Sequence, residues 1–285
     1  MQFGANTFIW ASPFSTAAHL SLLDHVARLG FDVIEVAFED PALIDLEALA
    51  GRAADVGLGV LVCGAYGPGR NLASADPAER AATAAYVRTL IDAAARLGSP
   101  IVGGPAYGAV GKTPAADPAA RQRERDLAAA ELRPLADYAG ERGVRLALEP
   151  LNRFETDLIN VVAQGLALCE AIGSPHVGLH LDTFHMHLEE RDSGAAIRAA
   201  GDRLFHFHAC ENDRGTPGRG QVAWPAVAAA LAGVGYSGPV VIESFTPEVK
   251  SIARAVCIWR DIAPNQDAIA SEGLAFLREL LLRYD

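Results

Sequence analysis

Short apolar runs recur along the chain, and the stretches between them carry helical periodicity. Runs at 3–10, 33–38, 59–64, 101–104, 144–149, 177–182, 204–210 and 239–244 read as strands, most of them continuous in Val, Ile, Leu and Phe. Helical patterns occupy 17–29, 45–55, 77–97, 120–142, 160–172, 189–199 and 224–233, with a last helical region from 250 to the end. Local signals agree with this division. Asp76 is placed to cap, Pro77 suits a first helical position, and Glu79 stands three residues after the cap. Gly30, Gly57, Gly98, Gly143, Gly173 and Gly235 each precede a strand, where the end of a helix favours glycine.

Eight such units in 285 residues predict one α/β domain over 1–285, a single (β/α)8 TIM barrel. A doubly wound open sheet is the competitor, since local patterns do not distinguish an open parallel sheet from a closed one. The first strand is followed by Asn6-Thr7-Phe8-Ile9-Trp10 and not by a Gly-x-Gly-x-x-Gly fingerprint. Closure is favoured more strongly by what ends strands five to eight. Glu149, Asp182, His208 and Glu243 terminate Leu146–Glu149, Leu179–Asp182, Phe205–His208 and Val240–Glu243. Acidic and imidazole groups beside continuous apolar runs are costly unless paired or bound to a cation. A barrel brings all four strand ends around one mouth, whereas an open sheet concentrates its site at a switch point.

The net charge of −11 argues against nucleic-acid and anionic-membrane partners. The first residues show no basic region followed by an apolar stretch, so no cleaved leader is expected. Cys63, Cys169, Cys210 and Cys257 lack any CxxC spacing and read as reduced thiols of a cytoplasmic protein. Gly111-Lys112-Thr113 is a poor phosphate loop, because Ala106 stands where glycine is needed and Pro114 interrupts the expected helix. The Gly218-Arg219-Gly220 turn reads as a loop.

Three carboxylates and one imidazole suit a divalent ion of intermediate hardness: Mn2+, with Mg2+ or Co2+ as substitutes. Strand alternation turns His206 the same way as His208, and His180 the same way as Asp182. Only the last member of each pair need reach the mouth, leaving the lower one as a satisfied interior group. Four protein ligands leave two positions of an octahedral ion for adjacent oxygens of a sugar. Such an ion polarises a carbonyl and stabilises the enediolate formed when the neighbouring carbon loses its proton. Glu149 and Glu243, three strands apart around the ring, are placed to remove and return that proton on opposite faces, which inverts the carbon. Glu155, His185 and Arg214, on loops above these strands, are candidates to hold substrate oxygens. Glu35, a polar residue within strand two, is a candidate supporting group. Phe8, Trp10, Phe38, Tyr66 and Tyr107 are candidates for a pocket wall, though each also suits the core.

With these residues assembled, the chain resembles the ketose 3-epimerases, the D-tagatose/D-allulose/L-ribulose 3-epimerase family of the xylose-isomerase-like TIM barrels. The matching runs are LALEPLNRFETDLIN, GLHLDTFHMHLEE, HFHACENDRGTPGRGQVAW and VVIESF, with weaker similarity over the remainder. The resemblance implies a metal held by Glu149, Asp182, His208 and Glu243, with Glu149 and Glu243 as the acid–base pair at C3. It implies that Glu155, His185 and Arg214 contact substrate O1 and O2. It further implies no organic cofactor and a homodimer or homotetramer. The chain departs from the family after strands three and four, where CGAYGP and PAYGAV stand and many hexose-active members carry a tryptophan. A shorter ketose is therefore as credible a substrate as a hexulose. The competing functions are an aldose–ketose or hydroxypyruvate isomerase on the same barrel, a metal-dependent phosphodiesterase, and a non-enzymatic sugar-binding protein.

Overall fold

The computed structural model describes residues 1–112 and 117–284. Eight strands form a closed barrel: β1 (Phe3–Asn6), β2 (Val33–Phe38), β3 (Gly59–Gly64), β4 (Ile101–Gly104), β5 (Arg145–Leu148), β6 (Val177–Asp182), β7 (Leu204–His208) and β8 (Val240–Ile242). Each pairs in parallel with the next, and β8 closes on β1 through Phe3↔Val240, Gly4↔Val241 and Ala5↔Ile242. Helices cover the outside, as a parallel sheet buried on both faces requires.

Alternation along each strand sorts the side chains. Outward residues such as Ile34, Val36, Val62, Leu146, Leu179 and Phe207 join the large core beneath the helices. Inward residues at the strand starts form a separate small cluster of Val33, Leu61, Ile101 and Val241. Gly4 completes that floor, since a Cβ there would lie 2.6 Å from Val33 Cγ2 and 2.9 Å from Val241 Cγ2. One step higher the inward positions turn polar, with Glu35, His180 and His206 all fully buried. The barrel interior thus passes from an apolar floor to a polar mouth.

The expected strands and helices are present, with corrections at several bounds. β7 ends at His208 and not at residue 210, and β8 ends at Ile242 and not at residue 244. β1 ends at Asn6, not at residue 10, because the Asn6 Oδ1 accepts a 2.9 Å bond from Phe8 N and starts a 3-10 turn over Thr7–Ile9. The pattern at 17–29 is two helices, Thr16–His19 and Leu22–Leu29. The pattern at 189–199 is one helix, Ser193–Ala200, and a helix not expected from the sequence precedes it. Thr183–Glu189 leaves β6 directly, capped by Asp182, and Ser193–Ala200 is capped by Asp192. The region after 250 divides into Lys250–Ala255 and Gln266–Leu281. The helix over Pro77–Leu97 begins as expected, with Asp76 Oδ1 accepting from Ala78 N at 2.9 Å, and ends at Gly98 with φ 71°.

Lys112 donates to Glu124 and, at 3.1 Å, to Asp157, so its charge is committed to neighbouring acids. Thr113 and Pro114 lie outside the described residues. Arg219 pairs with Glu272 at 3.0 Å. Among the described residues, no helix is long and apolar enough to cross a membrane.

Candidate active site and metal centre

Register places the site. His180 pairs with His206 and Asp182 with His208, so β6 and β7 present two matched tiers of inward side chains. Glu149 and Glu243 immediately follow β5 and β8 and complete the upper tier. All four upper residues are buried. One ligand atom from each of Asp182, His208, Cys210 and Glu243 lies within 4.8 Å of the others, and Glu149, Asp182 and His185 form a second such group. The two groups share Asp182.

Arg214 occupies the centre of the first group. Its Nη1 donates to Asp182 Oδ2 at 2.6 Å and to Glu243 Oε2 at 3.0 Å, and lies 3.0 Å from Cys210 Sγ. Its guanidinium carbon lies 4.1 Å from the centre of the Phe184 ring and 4.9 Å from that of Phe245. Ser244 donates to the Arg214 carbonyl and anchors its backbone at φ 63°. Burial alone would push the Asp182 carboxyl up, but Arg214, His185 and His208 outweigh it and bring it to about 2. Burial, and then the Glu243 charge, push the Glu149 carboxyl well above the usual carboxylate range.

Glu35 orients the imidazole. His208 Nε2 meets Glu35 Oε2 at 2.6 Å and His206 Nε2 meets Glu35 Oε1 at 2.7 Å, while Asn6 Nδ2 donates to Oε2 at 2.7 Å. Burial opposes the Glu35 charge, yet His208 and His206 hold its carboxyl well below the usual range. With Nε2 committed to Glu35, His208 Nδ1 faces the acids, 3.6 Å from Glu243 Oε2 and 3.9 Å from Asp182 Oδ2. Burial opposes the ring's charge, but Glu35 and Glu243 push its pKa well above the ordinary value, so a bound ion would take the place of the proton on Nδ1. That nitrogen and Glu149 Oε1 are buried without a hydrogen-bond partner. Orphaned ligand atoms and convergent carboxylates are the chemistry of a divalent-cation site, and in this structure Arg214 answers part of their negative charge. The residues fit such an ion.

His206 is satisfied at Nε2 through Glu35, while its Nδ1 is buried without a hydrogen-bond partner, so the expected satisfied interior group is met only by half. His180 is satisfied at neither nitrogen. Both its nitrogens are buried without a hydrogen-bond partner, and Nδ1 stands 3.7 Å from Glu149 Oε2. Burial, with His208 next, holds this imidazole neutral by pushing its pKa well below the ordinary value.

The substrate-side candidates meet around a cavity of about 220 Å³, lined by Glu149, Glu155, His185, Arg214 and Glu243 among others. A larger cavity of about 770 Å³ opens at the strand-start end, lined by Val33, Ile101 and Arg145, away from this chemistry. His185 Nδ1 accepts from Asn152 N at 3.1 Å, and its Nε2, at the mouth, meets Arg214 Nη2 at 3.1 Å. Glu155 Oε1 accepts from Asn152 Nδ2 at 2.7 Å. Of the aromatic candidates, Phe8 and Tyr66 line the cavity and Trp10, Phe38 and Tyr107 do not. Trp10 donates to Asp267 at 2.9 Å, and Phe38 is packed in the core. Tyr107 is turned to donate to the Glu149 carbonyl at 2.9 Å, so it supports the strand end from behind.

Several cavity residues were not picked out from the sequence. Glu39, just past β2, has a buried Oε2 with no partner, as has the Tyr66 hydroxyl. Burial raises the Glu39 carboxyl. Ile252 and Val256, from the short helix and the turn after it, form an apolar wall with Phe245. Cys210 enters the ligand cluster itself. Its position two residues beyond His208 was the available signal, because alternation turns both the same way.

A family model described as a xylose isomerase-like TIM barrel matches residues 23–280. The L-ribulose 3-epimerase of Methylomonas sp. is 33% identical over 281 residues, covering 98% of this chain and 97% of that protein. The L-ribulose 3-epimerase of Mesorhizobium japonicum is 36% identical over 282 residues, covering 97% and 93%. Among solved structures, D-allulose 3-epimerase from Methylomonas sp. in complex with D-allulose superposes with a TM-score of 0.92 at 32% identity, covering 98% of this chain and 96% of that one. The chain belongs to the ketose 3-epimerase family within the xylose isomerase-like TIM barrels.

Proposed function

We propose that this protein epimerises free ketoses at C3, using Glu149 and Glu243 as an acid–base pair on opposite sides of the substrate. The observation that carries this reading is the pair of buried carboxylates after β5 and β8, both on one small cavity beside a divalent-metal site. One carboxylate takes the C3 proton from its face while the other delivers a proton to the opposite face, and the roles exchange for the other epimer. Glu149, Asp182, His208 and Glu243 hold the ion, for which Mn2+ is proposed, with Mg2+ or Co2+ as substitutes. When bound, the ion polarises the C2 carbonyl and offsets the negative charge that develops as C3 loses its proton. The Arg214 fork, oriented by His185, donates to O1 and O2, the His185 ring lies against the same oxygens, and Glu155 accepts from a terminal hydroxyl. Tyr66 and Glu39 meet the hydroxyls further along.

The cavity bears four carboxylates, Glu39, Glu149, Glu155 and Glu243, against the single guanidinium of Arg214. That balance favours a neutral sugar over a sugar phosphate. The volume of about 220 Å³ lies below the range usual for drug-sized ligands and suits one small ketose. D-Tagatose, D-allulose or D-fructose, L-ribulose and shorter ketoses are the candidate substrates. The four unpaired cysteines suit a cytoplasmic enzyme. A homodimer or homotetramer is the expected assembly, measurable by light scattering.

The test is to incubate D-fructose, D-tagatose and L-ribulose with Mn2+-loaded protein in deuterated water. Solvent deuterium at C3 together with the C3 epimer is the expected result. Aldoses as the only products would replace the proposal with an aldose–ketose isomerase.

A further inference from the structure

Cys210 stands in the metal-ligand cluster with no part in the proton transfer. Its Sγ lies 3.2 Å from Asp182 Oδ2 and 3.0 Å from Arg214 Nη1, the nitrogen that also contacts Glu243. The sulfur is one of four potential ligand atoms, with those of Asp182, His208 and Glu243, that all lie within 4.8 Å of one another. Into the same set points His208 Nδ1, fully buried and without a hydrogen-bond partner. Thr183 holds the Cys210 backbone in place: its Oγ1 donates to the Cys210 carbonyl at 2.6 Å and accepts from the Cys210 amide at 2.7 Å. The thiol is therefore presented to the cluster by a fixed backbone.

Oxygen and imidazole donors suit ions such as Mn2+ and Mg2+, whereas a sulfur donor selects softer ones. We propose that Cys210 is a conditional fifth ligand of this metal centre, one that engages thiophilic divalent ions and makes them compete with Mn2+. Beside an oxygen-preferring ion the thiol keeps its hydrogen bond to Asp182. With Zn2+, Cd2+ or Co2+ the S–H bond breaks, a sulfur–metal bond forms and the proton leaves to solvent, with no change of oxidation state. The inference rests on the metal-centre reading above, and the experiment separates the two.

Metal-stripped wild-type protein, Cys210→Ser, Cys210→Ala and the control Cys63→Ser are titrated with Co2+ and followed by absorption. Affinities for Cd2+ and Mn2+ are measured by competition. Wild type and Cys63→Ser should show a near-ultraviolet sulfur-to-cobalt charge-transfer band beside the visible cobalt bands. Both Cys210 variants should lose the charge-transfer band and keep the visible ones. Their Cd2+ affinity should fall about tenfold or more, with Mn2+ affinity within about threefold of wild type. A charge-transfer band that survives in both Cys210 variants, or disappears with Cys63→Ser, overturns the assignment. Unchanged Cd2+ affinity in both Cys210 variants does the same. Absence of any bound cobalt in wild type overturns the metal-centre reading itself.

Discussion

Arg214→Ala tests the electrostatics of the site most directly. The substitution removes a buried guanidinium that donates to Asp182 at 2.6 Å and to Glu243 at 3.0 Å. Removing one partner of a buried ion pair typically costs about 3–5 kcal/mol, because the other charge stays behind uncompensated. For a chain of this length, unfolding entropy makes each kcal/mol worth roughly 2 °C. Chelator-treated Arg214→Ala should therefore melt about 5–10 °C below chelator-treated wild type. In saturating Mn2+ a dication answers the same carboxylates, and the deficit should shrink to roughly half or less. Ion content should be retained while kcat/KM falls, since substrate oxygens lose the fork of donors. Thermal melts of both proteins, with and without Mn2+, read all of this. An equal deficit in the two conditions would show that guanidinium and ion do not answer the same charges. Loss of the ion from the variant would reassign Arg214 to the metal centre.

Glu149→Gln and Glu243→Gln should each lower kcat by about 10²–10⁴ or more, measured beside ion content so that loss of a ligand is separated from loss of a proton carrier. Glu35→Gln should weaken Mn2+ about 10–100-fold, because the His208 ring loses the acceptor that sets its tautomer; unchanged affinity in a titration would refute that role. The apparent affinity for Mn2+ should also rise with pH. A Glu149 carboxyl held above its ordinary value of 4.5 keeps a proton that the ion must displace. Affinity therefore climbs by up to about tenfold per pH unit below that raised pKa and levels off above it. An affinity independent of pH between about 5 and 8 would contradict this sign.

Much of the architecture was legible because it depends on local rules. A run such as Val33–Phe38, or a helix opened by Asp76 and Pro77, states its own conformation through side-chain period and capping chemistry. Two misread boundaries lie where a side chain acts on nearby backbone. Asn6 ends β1 early, and Asp182 both ends β6 and caps the next helix with a 2.6 Å bond from Phe184 N. A polar residue at a strand end does not declare which of these tasks it performs.

The amino-acid order by itself determined the eight-unit barrel and the placing of Glu149, Asp182, His208 and Glu243 at four successive strand ends. Those follow from period, glycine placement and the cost of burying acids beside apolar strands. Only the tertiary structure decided how those groups answer one another. It set Arg214 between Asp182 and Glu243, spanned His206 and His208 with Glu35, and turned Tyr107 behind the Glu149 carbonyl. It also brought Glu39, Ile252 and Cys210 to the mouth from separate segments of the chain. The physical reason is that burial and charge are pairwise quantities. Glu35 and Glu149 are both buried glutamates. One is held ionised by two histidines and the other is pushed toward neutrality, and only the neighbours that folding brings to each make that difference.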